Sequence, residues 1–393
     1  MIYFKKNLIK YTKLMEKRLQ FYLKNLLHNN GSDLHLKSGA TVRLRVNGDL
    51  FKLGDKHITH EELQGIAKAI LAKDKYEELL SNKELDATYV LDEESRFRVN
   101  FFYQIDGLSA VFRVIPVKIL TLEELSLPKV ITQLSDMNRG LVLVTGVTGS
   151  GKSTTLAAML NHINRTKKKH IITVEDPVEF VHKDLESLVS QRGVGQDTLS
   201  FANALKGALR EDPDIILIGE MRDLETIEIA LHAANTGHLV FSTLHTLDAK
   251  ETINRVIGMF PKEEQNRIRI TLASVLSGVI CQRLVKTVDG KRAAAIEVML
   301  QTPRITDLIT QNRDYELLDT IEEGKEIYGS QSFDQALLDL FADGKIEEEV
   351  VLEHASNPSD MKLKLQNFGM KQKVKDNISE NIDIFDLKES VME

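Results

Sequence analysis

Cysteine is almost absent from this sequence of 393 residues, and its single cysteine, Cys281, excludes an internal disulfide or a cysteine-rich zinc site. We interpret it as a small buried apolar residue, in keeping with a reducing, cytoplasmic compartment. Long apolar runs are also lacking, because no stretch approaches the roughly 18 residues that predict a membrane-spanning helix. The first ten residues contain lysines but no long apolar core, so they do not resemble a secretory signal.

An excess of basic charge is missing as well. The formal net charge is −7. General nucleic-acid binding requires a basic surface that neutralises phosphates. The composition therefore predicts that nucleic acid is not a partner.

The length and the 42% hydrophobic content predict two domains rather than one core. Residues 1–28 predict a basic amphipathic helix, because apolar side chains recur at helical spacing at Phe4, Leu8, Tyr11, Met15, Tyr22 and Leu26. Two interpretations stay open, contact with an anionic membrane surface and docking on the helix's own domain. We favour docking.

Residues 29–116 predict an α+β domain. Apolar and polar residues alternate from Asp33, from Val42 and from Arg96, as in half-buried antiparallel strands. Residues 117–138 predict a linker.

Residues 139–370 predict a second domain of α/β class. Buried strands are expected at 140–145, 171–174, 215–218 and 239–242, with helical segments between them. This order predicts a doubly wound, mostly parallel sheet with its site at the strand ends. The tail at 371–393 is charged and is expected to be flexible, although Ile378, Ile382 and Phe385 leave a short docking helix open.

A complete Walker A loop lies between a predicted strand and a predicted helix, which is the context that this motif needs. Its glycines allow backbone N–H groups to surround phosphates, and the new helix adds its positive end. Lys152 is expected to reach the β- and γ-phosphates of ATP, and the Ser153 hydroxyl to bind Mg²⁺. The nine residues are Gly146, Val147, Thr148, Gly149, Ser150, Gly151, Lys152, Ser153 and Thr154.

Two acidic segments follow later strands. A buried strand ends at Gly219-Glu220, where most Walker B motifs have an aspartate in place of the glycine, so Glu220 is the predicted Mg²⁺ carboxylate. The segment Glu175-Asp176 also leaves a strand at this edge. ATP hydrolysis needs a carboxylate that orients the attacking water, and these two residues are the candidates.

His238 and His245 bracket the strand predicted at 239–242. A single histidine is more often structural than catalytic. Because these two flank a strand of the nucleotide sheet, we expect them to sense the γ-phosphate.

The combination of GVTGSGKST, ITVEDPVEF, DIILIGEMRD and TGHLVFSTLHT resembles the secretion-superfamily ATPases, most closely the motors of type IV pilus retraction. The similarity covers roughly residues 31–365. It implies a PAS-like N-terminal domain, a RecA-like ATPase domain and a homohexameric ring on the cytoplasmic side of the inner membrane. The implied partners are an inner-membrane pilus platform protein and a paralogous pilus ATPase.

The resemblance also assigns roles to residues. Glu175 matches the catalytic glutamate, Glu220 the Walker B glutamate, and His238 and His245 the histidine box. Arginines of the N-terminal domain that approach the nucleotide are matched by Arg96, Arg98 and Arg113, which are otherwise ordinary charged positions on strand faces.

Other functions stay open within this resemblance. Pilus extension and type II secretion ATPases usually carry a four-cysteine zinc module, so a chain with one cysteine favours retraction. Residues 304–311 depart from the main retraction motors and 332–337 resemble the accessory ones, whereas EMRD resembles the main ones. A regulatory ring component that binds ATP without hydrolysis is a further alternative, and a DNA motor is disfavoured by the acidic composition.

Overall fold

The structure is a computed structural model that describes residues 2–46, 48–92, 95–115 and 118–367, with side chains from residue 10 onward. The predicted tail at 371–393 and the side chains of Phe4 and Leu8 lie outside the described residues. The chain divides into two compact units. Residues up to 119, together with 179–182, form the first unit, and the second contains 120–178 and the chain from 183 onward.

The first unit contains an antiparallel sheet. Its strands are β1 (Asp33–Lys37), β2 (Thr41–Val46), β3 (Asp49–His57), β4 (Glu84–Asp92), β5 (Ser95–Gln104) and β6 (Gly107–Ile115), and its helices are α1 (Ile2–His28), α2 (His60–Ile70) and α3 (Lys73–Asn82). The strands lie in the order β3-β2-β1-β6-β5-β4. Because the strands alternate apolar and polar residues, one face of the sheet is buried, with Leu34, Phe97 and Phe112 in the core.

Helix α1 places one face in the core of this first unit. Met15, Leu19, Leu23 and Leu26 are buried in the same cluster as the strand side chains. They recur every three or four residues, which aligns them along one side of the helix. The side chains of this helix therefore agree with the docking interpretation.

The second unit is built on a seven-stranded sheet in the order β13-β12-β7-β11-β10-β8-β9. Its strands are β7 (Gly140–Thr145), β8 (His170–Glu175), β9 (Leu188–Gly193), β10 (Ile215–Ile218), β11 (Leu239–Leu244), β12 (Leu276–Lys286) and β13 (Arg292–Leu300). Only the pairing of β12 with β13 is antiparallel among the described strand pairs of this sheet. The prediction of an α/β fold with a mostly parallel sheet is confirmed.

The helices of the second unit are α4 (Lys129–Ser135), α5 (Lys152–Thr166), α6 (Phe201–Ala208), α7 (Leu224–Asn235), α8 (Ala249–Gly258), α9 (Lys262–Val275), α10 (Pro303–Thr310), α11 (Leu317–Glu323), α12 (Lys325–Tyr328), α13 (Phe333–Ala342) and α14 (Glu348–His354). They cover both faces of the sheet. Leu141 and Leu143 belong to one hydrophobic core and Val142 and Val144 to another, so β7 is buried on both sides. This explains why the strand reads as one apolar run.

The parallel arrangement fixes where the loops that carry chemistry lie. Strands β7, β8, β10 and β11 all run in one direction, so their carboxyl ends meet at one edge of the sheet, here called the carboxyl edge. Each of the four polar segments singled out in the sequence contributes residues that follow one of these strands. Within the described part of the chain, no helix is both long and apolar enough to cross a bilayer.

Candidate functional site

The loop between β7 and α5 crosses the carboxyl edge of the sheet. Gly146, Gly149 and Gly151 have φ values of 139°, 81° and 92°, which lie in the left-handed region that favours glycine. This backbone conformation turns a buried strand directly into a helix. The loop therefore presents the amino end of α5 and its own N–H groups on the same side, as phosphate binding requires.

Lys152 is the first residue of α5 and is 9% exposed. Its Nζ donates hydrogen bonds to the carbonyl oxygens of Gly146, at 2.7 Å, and of Val147, at 3.1 Å. The ammonium group therefore lies inside the curve of the loop. A phosphate at the loop would meet this charge without a large rearrangement of the side chain.

Two hydroxyl groups fit the same ligand. Ser150 is buried, and its Oγ has no hydrogen-bond partner among the described residues. A buried hydroxyl without a partner is costly, and a phosphate oxygen would satisfy it. Ser153 lies on the first turn of α5, next to Lys152, where its hydroxyl is a hard oxygen ligand of the kind that Mg²⁺ prefers.

Glu175 is the last residue of β8. Its Oε1 accepts hydrogen bonds from Thr173 Oγ1, at 2.7 Å, and from Gln191 Nε2, at 3.4 Å. These two donors orient the carboxylate at the strand end. The sequence identified the glutamate, but the neighbours that orient it lie on β8 and β9.

Gly219, where most Walker B motifs have an aspartate, packs closely against the end of β8. Its N–H donates to the carbonyl oxygen of Val174 at 2.7 Å, and a Cβ at this position would lie 3.1 Å from the Cα of Glu175. A contact this short is tighter than usual, so a side chain here would require the end of β8 to shift by a few tenths of an ångström. Glycine fits without that shift, and the carboxylate of this segment lies one position further along the chain, at Glu220.

Glu220 connects the Walker B segment to the histidine box. Its Oε2 lies 2.8 Å from Arg222 Nη2, and its Oε1 lies 3.4 Å from His245 Nε2. Partial burial would raise the pKa of this carboxyl, but the hydrogen bond and charge of Arg222, with a smaller contribution from His245, leave the pKa below its usual value. Glu220 is therefore ionised at neutral pH and suited to a cation.

The structure separates the two histidines of the box. His245 follows β11 at the carboxyl edge, whereas His238 precedes β11 at the opposite edge. There its Nδ1 lies 2.9 Å from the carbonyl oxygen of Ala233 at the end of α7. Within one chain, His238 does not join Glu220 and His245, and its role stays a prediction.

The three arginines predicted from the resemblance lie on β5 and β6 of the first unit. Arg98 and Arg113 are opposite each other in the register. Arg113 Nε donates to Asp33 Oδ1 at 2.7 Å, and Arg98 Nε lies 3.8 Å from Asp86 Oδ1. Burial opposes the ionisation of Asp33, but its hydrogen bond to Arg113 keeps the pKa low. The predicted role of these arginines at a nucleotide stays a prediction.

Some residues of the site were not singled out from the sequence. Arg222 follows Glu220 by two positions, and a basic residue this close to an acidic one is a usable signal for an ion pair. Gln191 and Gln282 carry no comparable signal. Gln191 reaches Glu175 from the neighbouring strand β9, and Gln282, on β12, accepts a hydrogen bond from Thr155 of α5.

Comparison with known proteins gives a consistent result. The sequence profile described as "Type II/IV secretion system protein" matches residues 10–326. The "Type IV pilus retractation ATPase PilT" of Pseudomonas aeruginosa is 48% identical over 329 residues, which are 84% of this chain and 95% of that protein. A "Twitching motility protein" of Neisseria gonorrhoeae is 45% identical over 82% of this chain and 86% of its own length. The "Type IV pilus ATPase PilU" of Pseudomonas aeruginosa is 38% identical over 88% of this chain and 90% of its own length.

Two solved structures of ATPases also match this chain over most of its length. The crystal structure of the pilus retraction motor PilT with bound ADP matches with a TM-score of 0.80 and 41% identity, covering 86% of this chain and 96% of that one. The ATPase DotB of Legionella pneumophila matches with a TM-score of 0.71 and 30% identity, covering 86% of this chain and 94% of that one. The similarity therefore extends over both units.

Proposed function

The chain belongs to the type II/IV secretion system protein family, and we propose that in this family it is an ATP-hydrolysing motor of type IV pilus retraction. One observation carries the proposal. The phosphate loop with Lys152 and the acidic residues Glu175 and Glu220, with His245, occupy the same edge of one parallel sheet. A regulatory ring component without turnover would not need this complete set.

Each residue then has a defined part in hydrolysis. The loop N–H groups and Lys152 hold the phosphates of ATP, and the amino end of α5 adds its partial positive charge. Ser153 and Glu220 would hold Mg²⁺, which neutralises charge on the phosphate oxygens when it is bound.

Glu175 orients the attacking water. Thr173 and Gln191 donate to Oε1 and fix the carboxylate, so that it can accept the proton of the water. The water oxygen bonds to the γ-phosphorus while the bond from that phosphorus to the bridging oxygen breaks. The products are ADP and inorganic phosphate.

His245 and Arg222 act through Glu220. Both side chains lie within ion-pair distance of its carboxylate. A change of charge at the Glu220 carboxylate during turnover would therefore change its interaction with His245, which lies in the loop after β11. This coupling supports the prediction that His245 senses the γ-phosphate.

Finer features belong to the same proposal. We infer a PAS-like domain at 29–116, a linker at 117–138 and a RecA-like ATPase domain at 139–370. The working form is a homohexameric ring in the cytoplasm, peripheral to the inner membrane, where it acts on a pilus platform protein. Arg98 and Arg113 approach the nucleotide and offset negative charge that develops during hydrolysis.

The comparisons favour a main rather than an accessory retraction motor. The chain is more similar to the retraction ATPase of Pseudomonas aeruginosa than to the second pilus ATPase of that organism. A paralogous pilus ATPase is then a candidate partner. Deletion of the gene should leave cells that assemble pili but do not retract them, and loss of assembly would contradict retraction.

The direct test is phosphate release from ATP by the purified chain and by Lys152→Ala. We expect the substitution to abolish hydrolysis, because it removes the ammonium group that would bind the phosphates. The circular dichroism spectrum should stay unchanged, because the contacts of this group lie in the loop. Lys169→Ala is the matched control, since Lys169 pairs with Asp214 at the other edge of the same sheet, at 2.7 Å. Native turnover by Lys152→Ala would refute the assignment of the loop.

A further inference from the structure

Strand β12 extends beyond the carboxyl end of the neighbouring strand β7. It pairs in parallel with β7, and the last paired residues are Cys281 and Thr145, where β7 ends. Strand β12 runs on to Lys286, past the carboxyl edge of the sheet. Gln282 therefore stands beside Gly146, the first residue of the phosphate loop.

Gln282 lies against both ends of that loop, with its backbone carbonyl at Gly146 and its side-chain amide at Gly151. A Cβ at Gly146 would overlap the carbonyl oxygen of Gln282, so the loop begins in direct contact with the β12 backbone. A Cβ at Gly151 would lie 2.7 Å from Nε2 of the same residue. Gly146 and Gly151, the first and the last glycine of the loop, therefore both lie against Gln282, and a side chain at either position would overlap it.

The side chain of Gln282 is held in place by the helix that follows the loop. Thr155 Oγ1, on the first turns of α5, donates to Gln282 Oε1 at 2.8 Å. Thr155 is 1% exposed and Gln282 is 3% exposed. A buried hydrogen bond of this kind fixes the plane of the amide, and with it the direction of Nε2 toward Gly151.

We propose that Gln282 is a positioning residue that holds the two ends of the phosphate loop at the spacing that nucleotide binding requires. It acts through the loop N–H groups and does not touch the reacting atoms. The proposal rests on the function assigned above, since it needs a nucleotide at this loop. Its consequence is that a residue of the C-terminal β-hairpin sets the affinity for phosphates.

The test is the substitution Gln282→Met, which keeps the length of the side chain and removes both polar atoms. We expect the Kd values for ADP and for ATP to rise by a similar factor of about ten, since the loop holds the phosphates that both nucleotides share. Binding is measured by fluorescence of a labelled ADP and by competition with ATP. The thermal unfolding of each variant is measured in parallel with nucleotide binding.

A matched control separates positioning from general stability. Gln301 Nε2 donates to Thr306 Oγ1 at 2.8 Å, so Gln301→Met removes a glutamine–threonine hydrogen bond from the same unit. The residue follows β13, and its N–H donates to the carbonyl oxygen of Ser277 near the start of β12, away from the end that meets the loop. We expect Gln301→Met to lower the melting temperature and to leave the Kd for ADP unchanged. An equal loss of affinity in this variant would overturn the proposal.

Thr155→Val completes the test. It removes the donor without changing the size of the side chain, so it should weaken ADP binding, and its effect should not add fully to that of Gln282→Met. If Gln282→Met does not fold, Thr155→Val decides the question in the same assay. Native affinity in whichever of these variants folds would overturn the role of Gln282. Failure of the native chain to bind nucleotide would refute the proposed function instead.

Discussion

Glu297 offers a quantitative prediction about the stability of the second unit. It lies on β13 opposite Cys281, is 3% exposed, and accepts a hydrogen bond from the N–H of Ala249, the first residue of α8, at 2.9 Å. Burial raises the pKa of its carboxyl to about 7, although the hydrogen bond from Ala249 acts in the opposite direction. The perturbation is Glu297→Gln, which keeps an oxygen that can accept this hydrogen bond and removes the titration.

The sign follows from the two pKa values. The folded state releases the proton of Glu297 at about pH 7 and the unfolded state at about 4.5, so the folded state binds it more tightly. The contribution of Glu297 to the free energy of unfolding is therefore complete below about pH 4.5, and it decreases as the pH rises to about 7. The gap between the two values, at about 1.4 kcal/mol for each pH unit, amounts to about 3 kcal/mol.

The single cysteine supplies the assay. Cys281 is fully buried, so it reacts with an aromatic disulfide only when this part of the unit opens. The rate under native conditions, divided by the rate in denaturant at the same pH, gives the free energy of opening. We expect the advantage of Glu297→Gln over the native chain to be small near pH 4 and to reach about 3 kcal/mol near pH 8.

The result that refutes this reasoning is a constant difference across the pH range. Such a result would mean that Glu297 titrates alike in the folded and the unfolded chain. Glu263→Gln, at an exposed position on α9, is the control for the loss of one negative charge. It should leave the pH dependence of Cys281 labelling as in the native chain.

Three further predictions test other parts of the structure. Gly219→Ala should crowd the end of the neighbouring strand and lower turnover by about ten- to a hundredfold, with ADP binding measured by fluorescence retained. Arg222→Gln should raise the pKa of Glu220, because it removes the hydrogen bond and charge that lower it, so the acid limb of the pH–rate profile should move to higher pH. Leu19→Ala should destabilise the first unit by about 2–5 kcal/mol in urea unfolding, and an effect near zero would contradict the burial of α1.

The sequence was sufficient for the parts of the fold that depend on local patterns. The segments 171–174, 215–218 and 239–242 are short, apolar and bounded by polar residues. A strand that is buried on both faces needs apolar residues at nearly every position, so such a segment predicts one. The phosphate loop was equally predictable, because its glycines, Lys152 and the flanking elements are contiguous in the chain.

The sequence was insufficient where the site depends on contacts between distant segments. Gln282 lies 127 residues from Thr155, and nothing in the sequence around either residue indicates that they meet. Only the order of strands in the sheet brings β12 beside β7. The same holds for Glu297, whose raised pKa follows from burial between β13 and the start of α8 rather than from its neighbours in sequence.

The two histidines of the histidine box lie at opposite ends of one strand. His238 and His245 flank β11 symmetrically, but seven residues of extended chain, at about 3.3 Å for each residue, separate them by about 20 Å. A parallel sheet binds its ligand at the carboxyl ends of its strands, so only His245 can reach the phosphate loop of its own chain. A role for His238 at a nucleotide therefore requires the site of another subunit. The prediction that both histidines serve ATP hydrolysis is thus also a prediction about the assembly, since it can hold only if neighbouring copies bring the amino edge of one sheet to the nucleotide of the next.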